Sequence, residues 1–412
     1  MKSLKQVLGG DVRQYGMLLA LVVLTLFFHW KTDGKVLTQS NAANILNGNA
    51  YILVLAIGMV MVIVIGQIDL SVGSVAAVVG IVVALSIKNW GIPWWLGILL
   101  GLGVGMVIGA WQGFWLAYVG VPGFITTLAG MMLFRGLNQY IGKSVSTSVP
   151  EQIKTIGGGY LPNLGGLSFV NGSTLLLGVL ALLAVVYGEF RKRAKLTHLN
   201  VPTGPIWASG VRILLTAIVI GYAVYLFGHG QPDRLSFPVT GVILAVLVIV
   251  YQFVTQRTPF GRAIYAVGGN RAAAQLSGVN TRATYFFTMA NMSFLAAVAA
   301  VLYIGRAGAS GGQDGTNWEL DAIASVFIGG AAVSGGIGTV VGSIIGGLVM
   351  AVLNNGLQLL GVGADWQKMI KGLVLLGAVA FDLYSKTQGK PSLIGLIQRT
   401  FGGRKSAEKA TA

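Results

Sequence analysis

Few residues in this 412-residue chain have side chains suited to covalent or metal chemistry. Cysteine is absent, and the three histidines, His29, His198 and His229, are scattered along the chain. Thiol nucleophiles, disulfide bonds and thiolate zinc sites are therefore excluded, and no histidine pair has the spacing of a metal site. Because an intramembrane enzyme would need a nucleophile with a base or a metal cluster, the sequence disfavours an enzyme and predicts no metal and no cofactor.

Polar side chains within the long apolar stretches are better candidates for function, because an amide can bind an uncharged, hydroxyl-rich solute. We predict that the solute pathway contains Gln67, Asp69, Gln112, Asn291, Asn354 and Gln358. Carboxylates that could couple transport to protons or sodium are nearly missing, although backbone carbonyls alone can hold sodium. Asp69 could instead cap the helix that follows it, and the amides could form hydrogen bonds between helices.

These residues belong to a chain that consists mainly of apolar stretches. Hydrophobic residues make up 54% and charged residues 10% of the composition, whereas a soluble surface needs roughly a quarter charged residues. Because a helix needs about 20 apolar residues to cross a bilayer, the sequence predicts an all-α polytopic integral membrane protein with about twelve helices, within a range of about 10 to 14. The predicted spans lie near residues 15–30, 50–67, 71–88, 93–117, 122–142, 173–190, 211–228, 237–254, 283–304, 322–335, 338–360 and 367–385.

The distribution of charge predicts the orientation of these helices. Basic residues cluster at 191–195, 257–282 and 386–405, in loops that fall on one side of the membrane, and acidic residues concentrate in the opposite loops. By the positive-inside rule both termini are cytoplasmic, 143–172 is an extracytoplasmic loop and 386–412 is a cytoplasmic tail. Orientation accounts for the net charge of +16, so no nucleic-acid partner is expected.

A short sequence motif that occurs twice predicts an inverted repeat within this single transmembrane domain. VGMVIGA at 104–110 is similar to VGSIIGG at 341–347, and the two segments would cross the membrane in opposite directions. The candidate repeat cores are residues 68–142 and 319–385. Gln112 would then face Asn354 and Gln358 across the repeat axis. The alternative is that Val, Ile and Gly recur by chance, as they do in any membrane protein.

The glycine-rich sequence GGIGT at 335–339 could be mistaken for a phosphate-binding loop. It has no lysine and no preceding strand, so it cannot neutralise a triphosphate, and the chain is not expected to hydrolyse ATP itself. We interpret these glycines as a tight turn between two helices that approach closely.

The cytoplasmic segment 255–283 is more informative than an ordinary polar connector. Its sequence predicts a short amphipathic helix between glycine breaks, with 272–276 helical and Gly278 as the C-cap. Arg262 and Arg271 would face a cytosolic partner or anionic lipid.

This segment resembles the coupling segment of sugar-importing ABC permeases of the ribose, xylose and arabinose type. Further matches to that family are GQIDLSVGS at 66–74, VPGFITTLAGM at 121–131, FRG at 134–136, ELDAIA at 319–324 and GGIG at 335–338. In combination and order these motifs are specific, and the similarity covers nearly the whole chain. The chain most resembles the D-xylose branch of the family, because residues 173–254 add middle helices that shorter ribose-type permeases lack.

The resemblance implies a homodimeric permease surrounded by membrane lipids, with a cytosolic ABC ATPase below it and an extracytoplasmic sugar-binding protein above it. The ATPase-coupling residues that it implies are Gly268, Gly269, Asn270, Arg271, Leu276, Ser277 and Gly278. Residues 143–172 would contact the binding protein, unless they form a plain flexible loop. Alternating access would be driven by ATP hydrolysis in the partner.

The coupling segment departs from its relatives at two positions. Ala272 stands where they usually carry Glu, and Gln275 where they often carry Arg. The loss of an acid there could weaken the ATPase contact. Two alternatives also stay open: a permease for another sugar or small solute, such as ribose, arabinose, galactose or a furanone signal, and an ion-coupled secondary transporter.

Overall fold

The computed structural model describes residues 12–167, 170–200, 205–229 and 236–386. Within these ranges the chain is mostly helical, and eight helices are long and apolar enough to cross a membrane. The predicted cytoplasmic tail, 386–412, lies outside the described residues except for Lys386.

The first part of the chain contains five long helices. They are α1 (Val12–Lys31), α2 (Gln39–Val64), α3 (Val72–Trp90), α4 (Trp94–Phe114) and α5 (Gly123–Gly142). A 3-10 turn, Lys35–Leu37, separates α1 from α2, and a π-helical turn, Trp115–Val119, extends α4. α2 begins at Gln39 rather than near residue 50 as predicted. Its amide-rich start lowers the local hydropathy without interrupting the helix, so the predicted span began too late.

The rest of the chain adds ten helices and four very short strands among the described residues. The helices are α6 (Glu151–Gly158), α7 (Gly172–His198), α8 (Ile206–Gly228), α9 (Val239–Arg257), α10 (Pro259–Gly269), α11 (Arg271–Leu276), α12 (Thr281–Ala307), α13 (Trp318–Ile328), α14 (Val340–Leu359) and α15 (Ala364–Lys386). The strands are β1 (Thr147–Ser148), β2 (Gly166–Leu167), β3 (Val170–Asn171) and β4 (Ala309–Ser310). β1 pairs with β4 and β2 with β3, both antiparallel.

The centre of the bundle is formed by α2 and α12, which are largely buried by the other helices. They approach so closely that a Cβ atom added to Gly58 would lie 2.6 Å from the sulfur of Met292. By contrast, α7 and α8 pack on each other, with Gly178 against Val224, and present mostly exposed apolar side chains. These helices belong to the middle region predicted at 173–254, and their apolar surface suits lipid contact.

The predicted span 322–335 is wrong at its carboxyl end. α13 stops at Ile328, and a turn with Gly330, Gly335 and Gly336 at positive φ leads to α14. The residues after Ile328 are apolar, and hydropathy does not report where the backbone turns. Every predicted span overlaps a helix, but α1, α5, α13 and α15 fall outside the eight long apolar helices, so the count of twelve stays a prediction.

The segment predicted as an extracytoplasmic loop has regular structure in its described part. α6 lies across the end of α12, where a Cβ atom added to Gly157 would come within 2.3 Å of the Leu302 carbonyl oxygen. β1 extends this contact by pairing with β4, which directly follows α12. A plain flexible loop therefore does not describe residues 143–167.

The two glycine motifs of the predicted repeat both allow helices to approach closely, but they meet different neighbours. Gly105 and Gly109 of α4 contact α12 at Ser293. Gly342 and Gly346 of α14 contact α13 and the turn that follows it. Because these contacts are not equivalent, the inverted repeat stays a prediction.

Candidate functional site

A polar cavity of about 580 Å³ opens at the end of the bundle where α2 begins and α14 ends. We call it the amide cavity, because seven of its lining residues carry side-chain amides. These residues are Asn41, Asn44, Asn49, Asn354, Asn355, Gln358 and Gln367. Cavities of roughly 300 to 1,000 Å³ hold small molecules, and amides offer both donors and acceptors to hydroxyl groups.

Pairs of hydrogen bonds hold the wall of the amide cavity in place. The Asn41 Nδ2 donates to Asn355 Oδ1 at 2.9 Å, and the Asn355 Nδ2 donates back at 2.8 Å. Arg306 donates to Asn44 Oδ1 at 3.2 Å. The residue Asn354 lines the cavity, and its Oδ1 is buried without a hydrogen-bond partner among the described residues.

Three charged side chains line the amide cavity, and two of them form an ion pair. The Lys371 Nζ lies 3.0 Å from both carboxylate oxygens of Asp321 and so joins α15 to α13. An ion pair in a partly buried wall leaves little net field. Arg306 has no ion pair among the described residues, so the lining keeps one uncompensated positive charge beside seven amides that suit a polyhydroxylated solute.

The loop between α12 and α13 places the first turn of α13 beside this cavity. Asp314 accepts a hydrogen bond from the Gly311 amide at 2.7 Å, and Asn138 of α5 donates to the Gly311 carbonyl at 3.3 Å. Burial raises the pKa of the Asp314 carboxyl above its usual range, while hydrogen bonds from Gly311, Tyr303 and Ser310 favour its charged form. The backbone of Gly315 then touches that of Gly73 in α3.

A second polar cluster, the buried junction, lies where α3 starts. The Asp69 side chain is fully buried, and its Oδ1 accepts from the Ser71 amide at 2.8 Å and the Ser71 hydroxyl at 2.6 Å. The Gln112 Nε2 donates to the same hydroxyl at 2.6 Å. Ser71 is the N-cap residue of α3, so Asp69 supports the cap from two residues upstream.

The buried junction also contains Glu319 of α13 and Arg135 of α5, whose charged atoms are 3.9 Å apart. Asp69 Oδ2, Gln112 Oε1 and Glu319 Oε2 are buried without a hydrogen-bond partner among the described residues. Three motifs of the family resemblance therefore meet at one place: 66–74, 134–136 and 319–324.

The predicted pathway residues do not form one site. Asn354 and Gln358 line the amide cavity, whereas Asp69 and Gln112 belong to the buried junction. The expectation that Gln112 faces Asn354 and Gln358 is therefore wrong. Gln67 lies beside the start of α5, next to the junction.

The remaining predicted pathway residue, Asn291, accepts a hydrogen bond from the Tyr251 hydroxyl at 2.7 Å and links α12 to α9. This contact matches the alternative of a hydrogen bond between helices. The residues that the sequence reasoning missed are the amides at the start of α2, among them Asn41 and Asn44. Their spacing of about one helical turn was a usable signal, but they lay before the predicted span.

The opposite end of the bundle carries the coupling segment as two short helices rather than one. Asn270 separates α10 from α11, and its side chain accepts from the Ala273 amide at 3.0 Å as an N-cap. Gly278 adopts a φ of +84° just after α11, as expected for a helix end. Arg271 lies 5.2 Å from the ring of Tyr285.

The surface of α11 is open to a partner. Leu276 is 90% exposed, and Arg271, Ser277 and Gly278 are exposed around it. The helix has the sequence RAAAQL, and Leu276 is its one large apolar side chain. On the other side, Ile264 of α10 is fully buried against the bundle.

A bundle that has eight helices long and apolar enough to cross a membrane, and a polar cavity at one end, is arranged as a membrane transport protein. Residues 41–379 match the family described as the permease component of the branched-chain amino acid transport system. The chain belongs to this permease family. It is therefore a multi-pass transport subunit of a bacterial ABC importer in the inner membrane, and not an enzyme.

Individual relatives are similar over nearly their whole length. The chain is 37% identical over 379 residues to the xylose transport system permease protein XylH of Haemophilus influenzae, covering 91% of this chain and 97% of that one. It is 38% identical to XylH of Escherichia coli K12, with 91% and 93% covered. The ribose import permease protein RbsC of E. coli K12 is 31% identical over 365 residues, with 89% and 92% covered. No solved structure matches the chain.

Proposed function

We propose that this chain is the membrane subunit of an ATP-driven, binding-protein-dependent importer for D-xylose. The amide cavity is the observation that carries the proposal, because it offers neutral donors and acceptors to a sugar in a membrane protein with few unpaired buried charges. The greater identity to xylose permeases than to ribose permeases supports xylose. Ribose is the second candidate, because ribose permeases are also similar over most of the chain.

The proposed topology has twelve membrane segments with both termini in the cytoplasm. Four of the remaining helices, α1, α5, α13 and α15, complete the count. Arg257, Arg262, Arg271 and Arg282 then lie on the cytoplasmic side, as the positive-inside rule requires. The amide cavity opens toward the extracytoplasmic side, where a binding protein releases the sugar.

The proposed partners occupy the two ends of the bundle. A cytosolic ATPase binds α11 around Leu276, while residues 143–172 contact the sugar-binding protein. The contact between α6 and the end of α12 supports the second role, because it places this segment next to Arg306 at the rim of the amide cavity. Two copies of the chain form the translocation pathway, and lipids cover α7 and α8.

The direct test is sugar uptake by cells that lack their own pentose importers and carry this permease with its ATPase and binding protein. Xylose uptake that ribose in excess does not reduce supports the proposal. Uptake of ribose in preference to xylose would reassign the substrate. Failure of the tagged permease to retain a P-loop ATPase in mild detergent would refute the ABC importer.

A further inference from the structure

Three backbone segments meet without intervening side chains at the end of the bundle that carries α10. The Gly336 amide donates to the Val64 carbonyl, the last residue of α2, at 2.8 Å. A Cβ atom added to Gly268 of α10 would lie 1.7 Å from the same carbonyl oxygen. Gly335 and Gly336 both adopt positive φ, which lets the turn approach α10. α10, the end of α2 and the turn before α14 are therefore packed as one unit.

Tyr265 adds a side-chain link to this unit. Its hydroxyl donates to the Gly338 carbonyl oxygen at 2.6 Å. Gly338 immediately precedes Thr339, whose Oγ1 accepts from the Gly342 amide at 3.0 Å and caps α14. The hydrogen bond from Tyr265 thus fixes α10 to the start of α14.

The two helices held in this way lead to the amide cavity. A helix is stiff and rises about 1.5 Å per residue, so α14 spans roughly 30 Å. Its far end carries Asn354, Asn355 and Gln358, and the far end of α2 carries Asn41 and Asn44. A displacement of α10 therefore acts on both walls of the cavity at once.

We propose that Tyr265 is a positioning residue that transmits movement of the coupling segment to α14 and thereby to the amide cavity. The proposal rests on the proposed ATPase contact at α11. Gly268 and Gly336 provide the close packing, and the Tyr265 hydroxyl provides the directional connection to the helix start. Tyr265 touches neither sugar nor ATP; it acts through α14.

Tyr265→Phe removes the hydroxyl and retains the ring, so it leaves the packing of α10 in place. Tyr251→Phe is a matched control, because it removes another interhelical hydroxyl, which binds Asn291 of α12 instead. Both variants, with the unchanged chain, are reconstituted in lipid nanodiscs as the full complex of permease, ATPase and binding protein. The ATPase rate is measured without binding protein and with xylose-loaded binding protein.

We expect Tyr265→Phe to retain the same amount of ATPase and the same basal rate. The stimulation by loaded binding protein falls about 5-fold, the change in an equilibrium expected for one lost buried hydrogen bond. Tyr251→Phe keeps its stimulation. Equal stimulation in all three proteins would overturn the proposal, and so would loss of the ATPase from Tyr265→Phe alone, which would make Tyr265 a docking residue.

A distance measurement provides a second readout, because the chain has no native cysteine that would interfere with labelling. Spin labels at Ala266→Cys, exposed on α10, and Leu360→Cys, exposed just after α14, report on the two ends of the link. ATP binding should change this distance in the unchanged background and not in Tyr265→Phe. An identical change in both backgrounds would overturn the proposal. If the unchanged permease binds no ATPase, the proposed function itself fails.

Discussion

Gly268 and Gly269 are adjacent in the coupling segment, yet the structure predicts opposite results when each is replaced by alanine. A Cβ atom at Gly268 would lie 1.7 Å from the Val64 carbonyl oxygen and 2.9 Å from the Gly336 amide nitrogen. Real Cβ atoms essentially never come closer than 3.0 Å to another heavy atom. α10 would have to move by about 1.3 Å to relieve this contact. Protein interiors are packed as densely as organic crystals, so such a movement disturbs the neighbouring segments.

Overpacking of this kind typically lowers the free energy of unfolding by about 1 to 3 kcal/mol. Loss of the hydrogen bond from Gly336 to Val64 would add about 1 kcal/mol. At Gly269 a Cβ atom meets nothing within 4 Å, and the residue ends a helix at ordinary φ. Gly269→Ala should therefore be neutral or stabilise the protein by up to about 1 kcal/mol.

The assay is unfolding in detergent micelles by increasing SDS, followed by the fluorescence of the nine tryptophans. Gly268→Ala should unfold at a clearly lower SDS fraction than the unchanged protein, and it should retain less ATPase in a pulldown because α10 is displaced. Gly269→Ala should match or exceed the unchanged protein in SDS unfolding, because its Cβ atom meets nothing within 4 Å. Coincident unfolding curves for the two variants would refute the close contact between α10 and α2.

Substitutions at three further positions test α11, the amide cavity and the buried junction. Leu276→Glu should abolish retention of the ATPase in a pulldown without changing SDS unfolding, because this side chain is 90% exposed and packs against nothing; unchanged retention would contradict the docking role. Gln358→Ala should lower the xylose uptake rate about 5-fold through loss of one solute hydrogen bond, and equal uptake would remove Gln358 from the pathway. Asp69→Ala should lower the free energy of unfolding by about 1 to 3 kcal/mol, because the Ser71 amide and hydroxyl lose their acceptor. Asp69→Asn keeps an acceptor oxygen and should lower it less. Equal losses in the two variants would show that these hydrogen bonds do not account for the contribution of Asp69 to stability.

Much of the architecture could be predicted from the sequence, because apolar length is a local property. Each predicted span overlaps a helix, and residues 255–283 contain the two short helices α10 and α11. The errors lie at boundaries. α2 starts within a polar stretch, and α13 ends within an apolar one, because hydropathy averages composition and does not detect hydrogen bonding or positive φ.

The candidate site was only partly predictable for a different reason. Asn354 and Gln358 were identified as polar residues in an apolar helix, but their neighbours in the amide cavity come from α2, roughly three hundred residues earlier. No local pattern shows that Asn41 and Asn355 exchange hydrogen bonds, or that Gln112 binds Ser71 instead of facing the cavity.

The sequence by itself determined that this chain is a helical membrane protein without thiol chemistry, and it predicted the orientation of the helices and a coupling segment. It did so because hydropathy, charge asymmetry and the absence of cysteine are properties of residue types and their order. Tertiary structure decided which amides line a cavity, which acids are buried in a junction, and how α10 contacts α14. Those relations depend on close packing between helices that are far apart in the sequence. A single Cβ atom added at Gly58 or Gly268 would force these helices apart.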